Sequence, residues 1–202
     1  FETEATQRGA QVLWARDGAE ICRLVTEIAR RRGVRKAIKS KSMLSEEAGL
    51  NAALEAAGVQ PVETDLGEYI LQINDNELPS HIIAPAIHKT REEVAELFER
   101  VHKKPRKTDI AEMTREAREM LRAHFLSADM GISGGNFLVA ETGSLALVTN
   151  EGNGRMVTTL PKVHVVITGV EKVIPTLEDL AAEIDAASVV VPVTSRLPES
   201  VI

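Results

Sequence analysis

GISGGNFLVAETGSLALVTNEGNGRMVTTLPKVHVVIT, residues 131–168, is the stretch on which the reading of this chain turns. Short apolar runs that read as strands are interrupted by two glycine-bearing loops and one acid, Glu141. Glycines beside a strand let backbone N–H groups approach a ligand closely, and Glu141 and Arg155 set opposite charges nearby. The pattern predicts a small-molecule pocket rather than plain core.

Working outward, strands and helices alternate. A helix is expected from about Gln7 to Arg32, with Val12, Ala15, Ala19, Cys22 and Ala29 on one stripe, and Gly33 beyond three arginines as its stop. Ala37–Ile38 reads as a short strand. KSKSM (Lys39–Met43) leads into a helix that carries Leu50, Leu54 and Ala57 and ends at Gly58. Val59–Thr64 reads as a strand, with Pro61 marking an edge or a strand end. His81–Ala84 reads as a buried strand closed by Pro85. Val94, Leu97, Phe98 and Val101 mark one helix. Asp109 with Glu112 starts another, carrying Ile110, Met113, Ala117, Met120 and Leu121. Val163–Thr168 is a strand. Pro175–Thr176 opens a last helix with Leu177, Leu180, Ala181 and Ile184 inward, and Val189–Val191 is a final strand. Short apolar strands between helices predict an α/β fold: an open, mainly parallel sheet with helices on both faces. The expected division is an N-terminal helical arm, 1–33, and an α/β domain, 34–202.

Composition narrows the function classes. The 202 residues are 44% hydrophobic, enough for one sizeable core. A net charge of -6 argues against nucleic-acid or anionic-membrane partners, and 3% aromatics argues against base stacking. No apolar run reaches the roughly 20 residues of a membrane span. The lone Cys22 excludes an internal disulfide framework and any cysteine-held cluster within these residues, and points to a reducing, cytoplasmic setting. Phe1 in place of Met, and a last segment without a natural stop, lead us to expect a fragment of a longer protein.

Three segments carry the candidate chemistry. In KSKSM, Lys39, Ser40, Lys41 and Ser42 combine charge, hydroxyls and a helix start, which suits an anion; the competing reading is a capped, solvated turn. In ETGS, Glu141 precedes Thr142, Gly143 and Ser144 and would act as base, nucleophile or acceptor; the competing reading is a hairpin turn with Gly143 at positive φ. In NEGNGR, Gly152, Asn153 and Gly154 allow a nest of amides, and Arg155 would hold a carboxylate or phosphate; the competitor is a plain turn. His81 and His88 flank a strand end and would line a pocket there; the competing reading is a hydrogen-bonded structural histidine. The five histidines show no metal-ligand spacing, so no metal is expected here. No dinucleotide fingerprint, Walker loop or nucleophile elbow is present.

Taken together, KSKSMLSEE, PSHIIAPAIHK, GISGGNFLVAETGSLALVTNEGNGR, LPKVHVVITGVEK and IPTLEDL resemble the lactate utilisation protein B family, over about Ala10 to Leu180. These are iron–sulfur proteins of bacterial L-lactate oxidation, and this chain is similar to their LUD domain. The resemblance implies a fold like that of the sugar-phosphate isomerase and CoA-transferase group, with its pocket at strand ends. It implies a part in oxidising L-lactate to pyruvate and in electron transfer, alongside other lactate-utilisation subunits. The domain itself would bind a small carboxylate or phosphate-bearing ligand. The family's ferredoxin-like cysteine runs are missing here, so its 4Fe–4S clusters would lie outside these residues. The alternatives are a CoA-transferase- or isomerase-like enzyme using Glu141, and a non-catalytic scaffold.

Overall fold

The computed structural model describes residues 1–81, 84–149 and 151–190. In place of one helix over 7–32 there are two, α1 (Glu2–Gln7) and α2 (Gly18–Arg32). Gly9 sits at φ +89, and the chain restarts as a helix only where the Asp17 carboxylate accepts the Glu20 N–H. Val12 and Ala15 therefore lie between helices, and α2 ends at Gly33 as expected.

Next come β1 (Lys36–Lys39), α3 (Met43–Glu47), α4 (Leu50–Ala56) and β2 (Gln60–Glu63). The single helix expected after KSKSM is divided because Gly49 adopts a left-handed conformation at φ +70. α5 (Leu66–Ile73) was not foreseen. His81 and Ala84 lie outside any strand, and the rest of that expected strand, Ile82 and Ile83, is outside the described residues. α6 (Arg91–His102) and α7 (Ile110–Ser127) stand where the apolar spacing puts them, capped by Thr90 and Asp109.

β3 (Met130–Ser133), β4 (Phe137–Val139), β5 (Ser144–Ala146), α8 (Asn153–Thr159), β6 (Val163–Val166), β7 (Val173–Ile174) and α9 (Leu177–Val190) complete the order. α9 runs through Val189 and Val190, which overturns the final strand expected there; Val191 is outside the described residues. The inward face expected for α9 is also corrected. Leu177 is 50% exposed and Ile184 46%.

The main sheet has the order β2-β1-β3-β6 with every pair parallel, and a smaller sheet of order β5-β4-β7 stands beside it. Alternation along β1 shows how helices cover both faces. Ala37 joins a core with Val25 and Ala29 of α2 and Leu50 and Leu54 of α4. Ile38, next in sequence, joins the opposite core, with Tyr69, Phe98, Leu121 and Val157 from α5 to α8. Gly131 of β3 is needed by the second layer: a Cβ there would lie 1.9 Å from the Val157 carbonyl oxygen of α8. Pro61 sits on edge strand β2 as expected, where its missing N–H costs no ladder bond. The other edge, β6, is half-exposed along its whole length. No helix among the described residues is long and apolar enough to cross a membrane.

Candidate functional site

Parallel strands deliver their next loops to one end of a sheet, and in open α/β folds ligands sit outside those carboxyl ends. Lys39 ends β1 and Glu63 ends β2, side by side in register. The Lys39 ammonium is 2.5 Å from Glu63 Oε1 and 2.6 Å from Asn51 Oδ1, and Asn51 Nδ2 donates to the same Glu63 oxygen at 2.8 Å. At 1% exposure Lys39 is committed to this buried pair, which fixes the two strand ends. Ser40 extends the ladder by donating its N–H to the Ile132 carbonyl. Ser42 caps α3, accepting the Ser45 N–H. Of the KSKSM side chains, Met43 lines a hollow at these strand ends, and Lys41 stands beside it with its Nζ 3.8 Å from Glu68 Oε1.

Beyond β2, Asp65 caps α5 and so aims Glu68 back at the strand ends. Burial, reinforced by Glu46 and Glu63, raises the Glu68 carboxyl to about 7. Burial, then Glu63, also raises Glu46; burial, then Asp65, raises Glu151. Glu46 and Glu68 face each other across a hollow of about 130 Å³, closed by Met43, Pro79, Ser80 and His81. At roughly 10–15 Å³ for one water-sized guest, this admits a ligand of several heavy atoms. His88 supports the rim from behind: its Nδ1 is 2.6 Å from Ser80 Oγ and its Nε2 2.7 Å from Glu77.

NEGNGR is not a free turn. Gly152 caps α8, and Asn153, Gly154 and Arg155 form its first turn; Asn150 is outside the described residues. Asn153 Nδ2 reaches Thr64 Oγ1 at 3.3 Å, which ties this segment to the end of β2. Gly154 is buried, with Thr149 against it, and Arg155 is exposed. ETGS has partners of its own. It is the tip of the β4–β5 hairpin, with Gly143 at φ +63 and α1 so close that a Cβ would fall 2.3 Å from the Ala5 nitrogen. Glu141 accepts the Leu177 N–H at 2.7 Å at the start of α9, Thr142 Oγ1 is buried without a partner among the described residues, and Ser144 opens β5 exposed.

Lys39, Ser40, Lys41, Ser42, His81 and Asn153 are thus gathered around the carboxyl ends of β1 and β2. No hydrogen bond or ion pair among the described residues joins the ETGS turn to them. Sequence reasoning missed Glu63 and Glu68. An acid closing a short apolar strand was the available signal for Glu63; Glu68, inside a helix, offered none.

A family model for the LUD domain matches residues 1–196. The chain belongs to the LUD domain family. Over 174 residues this LUD domain is 48% identical to "Lactate utilization protein B" of Geobacillus kaustophilus (strain HTA426), covering 86% of the chain and 37% of that protein. It is 49% identical over 178 residues to "Uncharacterized electron transport protein YkgF" of Escherichia coli (strain K12), covering 88% of the chain and 37% of that protein. The chain therefore spans little more than a third of the length of these curated relatives. No solved structure matches it.

The iron–sulfur clusters implied by the resemblance do not fit the residues of this LUD domain. Its one cysteine, Cys22, donates its S–H to the Ala48 carbonyl, and burial raises its pKa, away from a thiolate ligand. Among the described residues no three His, Cys, Asp or Glu side chains are placed to hold a metal ion.

Proposed function

We propose that this LUD domain serves in lactate utilisation and electron transport as the part that binds a small hydroxycarboxylate of lactate's size. The hollow between Glu46 and Glu68, with Lys41 beside it, is the observation that carries this reading. At first sight the site is too acidic for an anion. The raised Glu68 carboxyl resolves the conflict: near neutral pH it is half protonated, and in that form it donates a hydrogen bond to a carboxylate guest while Lys41 supplies the opposing charge. Oxidation of lactate to pyruvate also releases two electrons and needs an acceptor. We assign that task to clusters outside these residues, in a cytoplasmic protein working with other lactate-utilisation subunits. The domain's own share is binding and proton handling.

Calorimetry of the chain with lactate, pyruvate and inorganic phosphate tests this. Because binding requires protonated Glu68, affinity for lactate should fall on the order of tenfold between pH 6 and pH 8. Glu68→Gln, a permanent donor, should bind equally at both pH values. Absence of saturable heat at pH 6 would refute the reading. The CoA-transferase-like alternative needs Glu141 free as a nucleophile, whereas here that carboxylate holds the start of α9.

A further inference from the structure

A second, larger hollow of about 380 Å³ runs along the outer side of β2, bounded by α4, α5, α6 and α7. Pro61 and Val62 of β2, Ile73 of α5, Val101 of α6 and Met120 of α7 form the apolar part of its lining, and polar side chains such as Gln60 and Asn76 form the rest. An edge strand would ordinarily show bare backbone here. Instead Gln72 lies along it, donating from Nε2 to the Pro61 carbonyl at 3.1 Å and accepting the Glu63 N–H at 2.9 Å. The strand's hydrogen bonding is answered there without another strand, so the hollow is suited to a small guest rather than to strand addition.

One wall carries a relay of polar groups. Tyr69 Oη is 2.9 Å from His102 Nε2, His102 Nδ1 is 2.7 Å from Glu116 Oε1, and Lys107 Nζ is 2.8 Å from Glu116 Oε2. Burial pushes Glu116 up, but its bonds from Lys107 and His102 outweigh this and hold the carboxyl below its ordinary value. His102 Nδ1–H therefore donates to an ionised acceptor. Burial raises Tyr69 to about 12, so its hydroxyl keeps its hydrogen within the bond to His102 Nε2. The Tyr69 oxygen is left with lone pairs to offer.

The opposite wall carries His124, whose Nδ1 is sealed from solvent with no hydrogen-bond partner among the described residues. Burial, then Lys36, lowers its pKa, so the ring is neutral at pH 7. Charge completes the case: Glu55 is the one carboxylate on the lining, and no Lys or Arg lines it, which disfavours an anion.

We propose that this hollow binds a neutral, ring-sized, mainly apolar molecule that presents one O–H or N–H donor to the Tyr69 oxygen. The volume falls in the usual range for small-molecule sites, roughly 300–1,000 Å³. The site is separate from the carboxylate pocket, although Glu68 and Tyr69, consecutive on α5, face one each.

Phenol and toluene are the probes, titrated into the full chain and followed by methyl NMR of Met120 and Val101. Phenol should saturate, with shifts confined to this hollow, and toluene should bind about tenfold more weakly for want of the donor. Tyr69→Phe should bring phenol down to toluene's affinity. Val101→Phe, a filling change at the half-open mouth, should abolish both. Shifts that do not saturate, that scatter over the surface, or that are equal for phenol and toluene in the unaltered chain would overturn the proposal. Lactate titrations in parallel keep the two sites apart, because neither substitution touches the carboxylate pocket.

Discussion

Replacing Glu68 by Gln should stabilise the fold in alkali and leave it unchanged in acid. The carboxyl rises from an ordinary value of 4.5 to about 7 in the folded chain. Below about pH 4 both folded and unfolded chains hold the proton, and the group costs nothing. Between the two values the unfolded chain releases its proton while the folded chain keeps it, so stability is lost as pH rises. Above pH 7 the whole penalty is present, about 3 kcal/mol at 1.36 kcal/mol per unit. The amide removes that penalty but forgoes the attraction of Lys41 at 3.8 Å. With water reaching the hollow, a net gain on the order of 1–2 kcal/mol remains. Urea unfolding followed by circular dichroism should show the midpoint of Glu68→Gln raised by roughly 0.5–1 M at pH 8.5, with no change at pH 4. A shift of equal size at both pH values, or a lower midpoint at pH 8.5, would refute the assignment of a strained carboxyl.

The Lys39–Glu63 pair is buried at 1% and 7% side-chain exposure. Lys39→Met should cost about 3–5 kcal/mol by stranding Glu63, and the double change with Glu63→Leu should recover much of it, as a urea-unfolding cycle would read. Gly131→Ala should prevent folding or lower the thermal midpoint by well over 10 °C, since backbone rather than a yielding side chain blocks the new methyl. The matched control is Gly58→Ala, which meets open space and strains the backbone alone at φ +77; it should cost about 1 kcal/mol in the same scan.

Where a residue acts through its immediate neighbours, the sequence could be read. Gly33 behind three arginines, Pro61 on an outer strand and Asp109 before Glu112 all stand as their local chemistry requires. α5 escaped notice because Gly67 sits in its first turn; the glycine is there because a Cβ would fall 2.8 Å from Pro85 Cγ, a contact 18 positions away. The site divides in the same way. Ser42 at a strand-to-helix junction was legible. The carboxylates that set the pocket's protonation come from β2, α3 and α5, and only the folded sheet brings them together. ETGS carried suitable chemistry, and in the fold its turn lies against α1 while its acid accepts from the start of α9.

The two sides of the main sheet end differently. One is finished by a proline and by the Gln72 amide; the other, Val163 to Val166, has neither and remains half-exposed. Among the described residues β6 pairs with no strand on its outer side, so any edge-to-edge association is expected there. Two copies joined through that edge about a twofold axis leave no open end for a third, so a concentrated preparation should stop at pairs instead of growing into fibres.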